Sequence, residues 1–360
     1  MGADALWVGC EDVMMEQTPA RRQRSRRRGA LVAVTLALLV LAGCGGHASA
    51  SKPLPTIALP PALAGYHVYV SDLQTGDVAE LGKRTVHVGE SVHGLGLSAD
   101  GHTLYVTDIS ANRLVAFHLS GGDLGALTHT APVGLSPVHM VNTLDGGAIL
   151  VTNFGGNTLT VINAVSWAPE ATITIGAQPH GIVLSPDGSR AYVSCYGGAS
   201  IAIIDVAQSR LLQSVALPAL SEPYGIAISR DGRYVYASDN VTGRLFVLDT
   251  RTETLLPSVK VGLHPALIAR SPDGKTLYVA NGGSHDVSIL DLSRDPSQPA
   301  LRARVPVNGY PHGIAVTPDG RYVIVANTYG QNLAVIDTAA ATLVATIPAE
   351  KYPNDVLIAP

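Results

Sequence analysis

Imidazoles, phenols and carboxylates fall at matched distances from a recurring Asp-Gly pair, and the recurrence points them at one place. Asp-Gly stands at 100–101, 145–146, 187–188, 231–232, 273–274 and 319–320. A short apolar segment precedes each pair, beginning with His93, Val138, His180, Tyr224, Ala266 or His312, and a seventh such segment near the C-terminus begins with Asn354. Proline comes directly before six of these seven positions, and His139 and His264 stand beside two of them. The segment after each pair ends in Asp108, Asn153, Cys195, Asp239, Asn281 or Asn327, with Asp72 closing a seventh copy. Two antiparallel segments joined by a tight turn put the start of the first and the end of the second at the same end. Imidazoles, phenols and carboxylates gathered there can coordinate a metal, stack on a flat ligand or contact a protein partner. The ligand-binding candidates are therefore His93, His139, His180, Tyr224, His264, His312, Asn354, Asp108 and Asp239, with Tyr196 and Tyr329 from the adjoining loops. Capping of strand-end turns is the other role open to the Asp/Asn positions.

A metal is a weaker expectation. Zinc and copper need three or more ligand atoms about 2.0 to 2.3 Å from one point, and His93, His180 and His312 belong to repeats expected to begin far apart. His180 and Cys195, aligned on neighbouring segments of one repeat, are the exception and form a soft half-site on paper. Asp72, Asp108 and Asp239 offer the same weak possibility for calcium. No cofactor is indicated and no catalytic residue is assigned: the chain has no Gly-x-Ser-x-Gly elbow, phosphate loop, dinucleotide fingerprint or Cys-x-x-Cys-His.

The elements that must hold these residues are strands. Successive Asp-Gly glycines lie 45, 42, 44, 42 and 46 residues apart, and each repeat carries four short alternating apolar runs separated by Gly, Asp, Asn and Pro. Four strands per repeat form an antiparallel sheet that is apolar on both faces, which radial stacking of the sheets buries. The expected fold is all-β, a seven-bladed propeller over residues 64–360. The chain starts on a second strand, Tyr66 to Asp72, and ends on a first strand, Asp355 to Ala359, so a three-plus-one clasp of the two termini should close the ring.

Leu150-Val-Thr-Asn153 and Tyr278-Val-Ala-Asn281, together with Ser185-Pro-Asp-Gly188, Ser271-Pro-Asp-Gly274 and Thr317-Pro-Asp-Gly320, resemble the YVTN family of β-propellers. The resemblance spans residues 64–360. It implies a fold more than a function, since similar propellers include structural, ligand-binding, haem-handling, copper-binding and lactonase members. The first expectation is a binding or scaffolding module working through its His/Tyr-rich face. The alternative is an enzyme or redox accessory, lactonase-like or copper- or haem-handling, using the same face.

The N-terminus reads as an address. Six arginines between Arg21 and Arg28 precede the apolar run Leu31–Leu41, which is too short to span a membrane and has the layout of a secretory signal. Leu41-Ala-Gly-Cys44 resembles a bacterial lipobox, which implies lipidation of Cys44 and residues 1–43 as signal peptide. A plain signal cleaved near Ala48-Ser-Ala50 is the competing reading, and acids at 4, 11, 12 and 16 are odd enough in a signal that translation from Met14 or Met15 is also open. Residues 44–63, rich in Gly, Ser, Ala and Pro, form a tether of roughly 50 Å at about 3 Å per residue. The protein is then expected outside the cytoplasm as a monomer, attached by lipid to the envelope, with a small ligand or an envelope protein as partner. Nucleic acid is excluded as a partner: of 24 Lys plus Arg and 28 Asp plus Glu, the mature part keeps 18 and 24, with no basic patch. Loss of Cys10 with the signal and acylation of Cys44 leave Cys195 without an intramolecular partner.

Overall fold

The computed structural model describes residues 60–349 and 351–359. The signal, Cys44 and most of the tether lie outside the described residues.

Seven sheets of four antiparallel strands follow one another along the chain. We number blades 1 to 6 from residue 92 onward. Blade 7 joins the C-terminal strand Pro353–Ala359 to the N-terminal strands His67–Asp72, Asp77–Glu80 and Arg84–His87, in that order. His67 faces Ala359 and Val70 faces Val356 in this pairing, which is the expected three-plus-one clasp. Pro61–Leu63 form a single 3-10 turn and Leu63 is fully buried among Val68, Val335 and Ile347, so these residues pack with the propeller.

The inner strands are Val92–Leu97, Pro137–Asn142, Pro179–Leu184, Pro223–Ile228, Pro265–Arg270, Pro311–Val316 and Pro353–Ala359. The turn leading out of the first six is built alike each time. In Ser271-Pro-Asp-Gly274, Asp273 Oδ1 accepts from Ser271 Oγ (2.6 Å) and from the Lys275 amide (3.0 Å), and Gly274 takes φ +77°. Only glycine adopts that conformation without a Cβ penalty. The Asp-Gly signal is thus a hairpin device.

The opposite end of each inner strand carries a bulge. Register runs normally up to Ile182↔Val193 in blade 3, then skips to Pro179↔Cys195, and the same skip occurs in all seven blades. A bulge leaves residues unpaired and re-aims their side chains. Here it frees the two residues after the proline, His180 and Gly181 in blade 3.

A hydroxyl from the second strand takes up the freed groups. Ser194 Oγ accepts from the Gly181 amide (2.9 Å) and donates to the Tyr224 carbonyl of the next blade (2.6 Å). Thr107, Thr152 and Ser238 repeat the link to the carbonyls of Val138 (2.9 Å), His180 (2.7 Å) and Ala266 (2.6 Å), and Ser71 reaches the His93 carbonyl (2.5 Å). Ala280 and Ala326 occupy the same column in blades 5 and 6. Each buried hydroxyl fastens one blade to the next at the point where the axial side chains leave the backbone.

Candidate functional site: an imidazole cluster on the propeller axis

The bulged positions of a seven-fold ring point at its centre, so their side chains meet. His93 lies 5.3 Å from His180 and 5.9 Å from His312, ring centre to ring centre. His139, one residue farther along its strand, lies 4.9 Å from both His93 and His180. Tyr224 completes the group at 3.7 Å from His180 and 5.5 Å from His312. The expectation that histidines of separate blades start too far apart is therefore wrong. The bulges aim inward, and the length of one imidazole side chain covers the radius of so narrow a channel.

His93, His180 and Asn354 are fully buried and His312 nearly so. Both ring nitrogens of His93 and His180, Nε2 of His139, and both amide atoms of the Asn354 side chain have no hydrogen-bond partner. Buried polar atoms without partners cost about 1–3 kcal/mol each, and a packed core does not need them. Four glycines make the room: a Cβ on Gly181 would stand 2.9 Å from the Tyr224 carbonyl oxygen, and one on Gly94 would stand 3.1 Å from His139 Nδ1.

One pair is ordered differently. His312 Nδ1 lies 2.9 Å from the Asn354 carbonyl, which can only accept, so Nδ1 carries the proton. Nε2 is then the acceptor, and the Tyr224 hydroxyl donates to it at 2.9 Å.

Burial sets the charge state. It holds His139 down at about 3 and His312 at about 4, with His312 adding repulsion at His139. His93 and His180 fall well below the ordinary value, first through burial and then through the neighbouring imidazoles. All four are neutral at pH 7. Asp355, buried beside Asn354, is pushed the other way by burial, to about 6, while accepting from the Leu95 (3.0 Å) and Val356 (2.9 Å) amides.

Other candidates have different places. His264 sits in a left-handed turn (φ +46°) against Asn240 (3.3 Å) and stays off the axis. Asp108 accepts from the Ala111 amide (3.1 Å) and Arg113 Nε (2.8 Å), and Asp239 from the Glu222 amide (2.6 Å) and from Thr242. Asp72 likewise caps Gln74, Thr75 and Tyr352. These carboxylates hold loops, and among the described residues they do not converge on a cation. Nor do His180 and Cys195 make a half-site: the thiol points into the apolar core between blades 2 and 3, among Ile175, Val193 and Ala202, and burial pushes it up to about 11.

Tyr196 belongs to a cap that sequence reasoning missed. The residues following the second strands, Leu73, Ile109, Phe154 and Tyr196, are buried together with Val138, Tyr224 and Ala266. They close the channel on the side of blades 7, 1, 2 and 3. The same position in blades 4, 5 and 6 is Asn240, Gly282 and Thr328. On that side Tyr329 stands between Tyr310 (5.0 Å) and Tyr352 (5.8 Å) in a half-buried aromatic arc. Toward the Asp-Gly end, residues of six inner strands become partly exposed, as at Gly96–Leu97, Ile268–Arg270 and Ala315–Val316. The cap thus covers the imidazoles on the side of blades 7, 1, 2 and 3, and the inner strands become more exposed toward the Asp-Gly end.

Solved structures share this architecture. The periplasmic gluconolactonase of Pseudomonas aeruginosa is 19% identical and superposes with a TM-score of 0.71, covering 82% of this chain and 99% of that one. A putative 6-phosphogluconolactonase of Bacteroides fragilis gives 18% and 0.71 over 84% and 100%, and the hydrazine synthase of Kuenenia stuttgartiensis 21% and 0.66 over 75% and 91%. No curated protein matches the chain. Residues 62–346 match the profile of the lactonase, 7-bladed beta-propeller family, and the chain belongs to that family.

Proposed function

We propose that the protein is an extracytoplasmic, lipid-anchored lactonase that opens the ring ester of a sugar-acid lactone at the axial His/Tyr cluster. The observation that carries the reading is the buried Tyr224–His312 pair (2.9 Å) set among neutral imidazoles without partners in a member of a lactonase family. The gluconolactonase and 6-phosphogluconolactonase descriptions of similar propellers support the substrate class. Water adds its oxygen to the acyl carbon while a neutral imidazole takes its proton, and the Tyr224 hydroxyl turns from His312 to hydrogen-bond the developing oxyanion. The ring C–O bond then breaks, and the imidazolium returns the proton to the departing alkoxide, giving the open hydroxy acid. Lipobox-like Leu41–Cys44 supports the anchor and the location.

The test uses the mature chain with Cys44→Ser and gluconolactone in a pH-stat. Ring opening above the spontaneous rate is expected, and Tyr224→Phe and His312→Gln should each lower kcat by about 10² to 10⁴. No acceleration over buffer would refute the lactonase reading. Complete burial of His93, His180 and Asn354 favours a second reading, a binding module for a small ligand, and saturable binding without turnover would establish it.

A further inference from the structure

His93, His139 and His180 each offer a ring nitrogen, and these three nitrogens all lie within 4.8 Å of one another. The rings meet edge to face, with interplanar angles of 89°, 82° and 66°, and do not stack. Ligand atoms at about 2.1 Å from one ion are about 3.4 Å apart in a tetrahedron. Binding would draw the three rings together by side-chain rotation to close that difference. The partnerless nitrogens of His93 and His180 are fully enclosed, which a ligand would explain and apolar packing would not.

We propose that His93, His139 and His180 form a transition-metal site on the propeller axis, taking one divalent ion of the zinc and copper class with a fourth position left open. Three neutral nitrogens suit such ions, and three protein ligands plus an open position is the arrangement of reactive sites rather than of purely structural ones. The surroundings supply the outer partners that ligating imidazoles use. The Val138 and Tyr224 carbonyls are the backbone groups beside His93 and His180, and both carbonyls are fixed by Thr107 and Ser194. His139 is only partly buried and lies one residue nearer the Asp-Gly end than the aligned positions, the side from which an ion would enter.

A second group of potential ligands, His67, Glu80 and Asp123, differs in the respect that matters. Lys83 already places its ammonium there, 2.9 Å from Glu80 and against Asp123, so that cluster holds its cation. It serves as the control. The site stands whether or not the protein opens lactones.

The experiment is a Co2+ titration of the chelator-stripped mature chain, read by visible absorption, with Zn2+ as competitor and melting temperature as a second readout. One equivalent of Co2+ should give the intense bands of four-coordinate cobalt, Zn2+ should abolish them, and Zn2+ should raise Tm in a concentration-dependent way. His139→Ala and His180→Ala should weaken Co2+ binding by about 100-fold or more, since even outer-sphere changes reach that range, whereas His67→Ala should leave it unchanged. If a variant fails to fold, the wild-type titration decides alone. Absence of the bands and of a Tm rise in wild type would overturn the site, as would loss of binding in His67→Ala. A protein that binds Co2+ and opens no lactone refutes only the lactonase reading, and one that opens lactone and binds no ion refutes only the metal site.

Discussion

Replacing His139 by leucine should make the metal-free protein markedly less sensitive to acid. The equivalent position of blade 5 is Leu267, so the scaffold accommodates the side chain. Burial, then His312, holds the His139 imidazole at about 3, against 6.5 for an exposed one. Between these values the unfolded chain binds a proton that the folded chain refuses, so stability falls as pH falls through 6.5 and the loss levels off near 3. At about 1.36 kcal/mol per pH unit, the loss from this one group between pH 6.5 and about pH 4.5 is about 2.7 kcal/mol. Asp355 works in the opposite sense. Its folded value of about 6 lies above the 3.8 of an exposed carboxyl, so the folded chain takes up the proton first and gains about 2 kcal/mol on the same acidification. That gain is common to both proteins and cancels in the comparison. Urea unfolding with chelator present, at about pH 7.5 and about pH 4.5, should show a pH-dependent loss about 2 to 3 kcal/mol smaller in His139→Leu than in wild type. Equal pH dependence would mean that His139 protonates at its ordinary value inside the folded ring, and the dry, neutral cluster would be refuted.

Three further outcomes follow from the same geometry. Thr152→Val keeps the shape but strips the His180 carbonyl and the His139 amide of their partner, and should cost about 1–3 kcal/mol in urea unfolding; no change would show that water replaces the hydroxyl. Deleting residues 353–360 removes the strand that pairs with His67–Asp72, and should abolish the cooperative unfolding transition seen by circular dichroism, whereas a retained transition would contradict closure by the clasp. Cys195, with its thiol buried and raised to about 11, should resist alkylation in the native protein and react promptly in urea, so rapid native labelling would place it at the surface.

Much of the ring was legible because tight turns have strict chemistry. Asp-Gly with a hydroxyl two residues before the Asp, as at Ser271 and Thr317, specifies a hairpin wherever it appears, and the spacing of six such turns specifies the blades. The alignment of His93, His180, Tyr224 and His312 at one end was legible for the same reason. Their mutual distances were not, because these depend on a bulge that no residue type announces. The Ser/Thr column was the available signal: Ser71, Thr107, Thr152, Ser194 and Ser238 fall second from the end of their strands, where a hydroxyl buried at 0% exposure must find partners. Asp108 and Asp239 were ambiguous in sequence, since a carboxylate that caps a loop and one that binds a ligand look alike until the loop amides are placed. His264 stands one residue before its proline and His139 two residues after its own, and that three-residue difference turns His264 away from the axis.

Lactone turnover measured together with its dependence on the axial cluster tests the account most directly. In a pH-stat with gluconolactone, the mature protein should open the ring faster than buffer, His180→Leu should lose at least about 100-fold in kcat, and His87→Ala, on an exposed outer strand, should match wild type. Equal rates for wild type and His180→Leu would contradict a functional site on the axis.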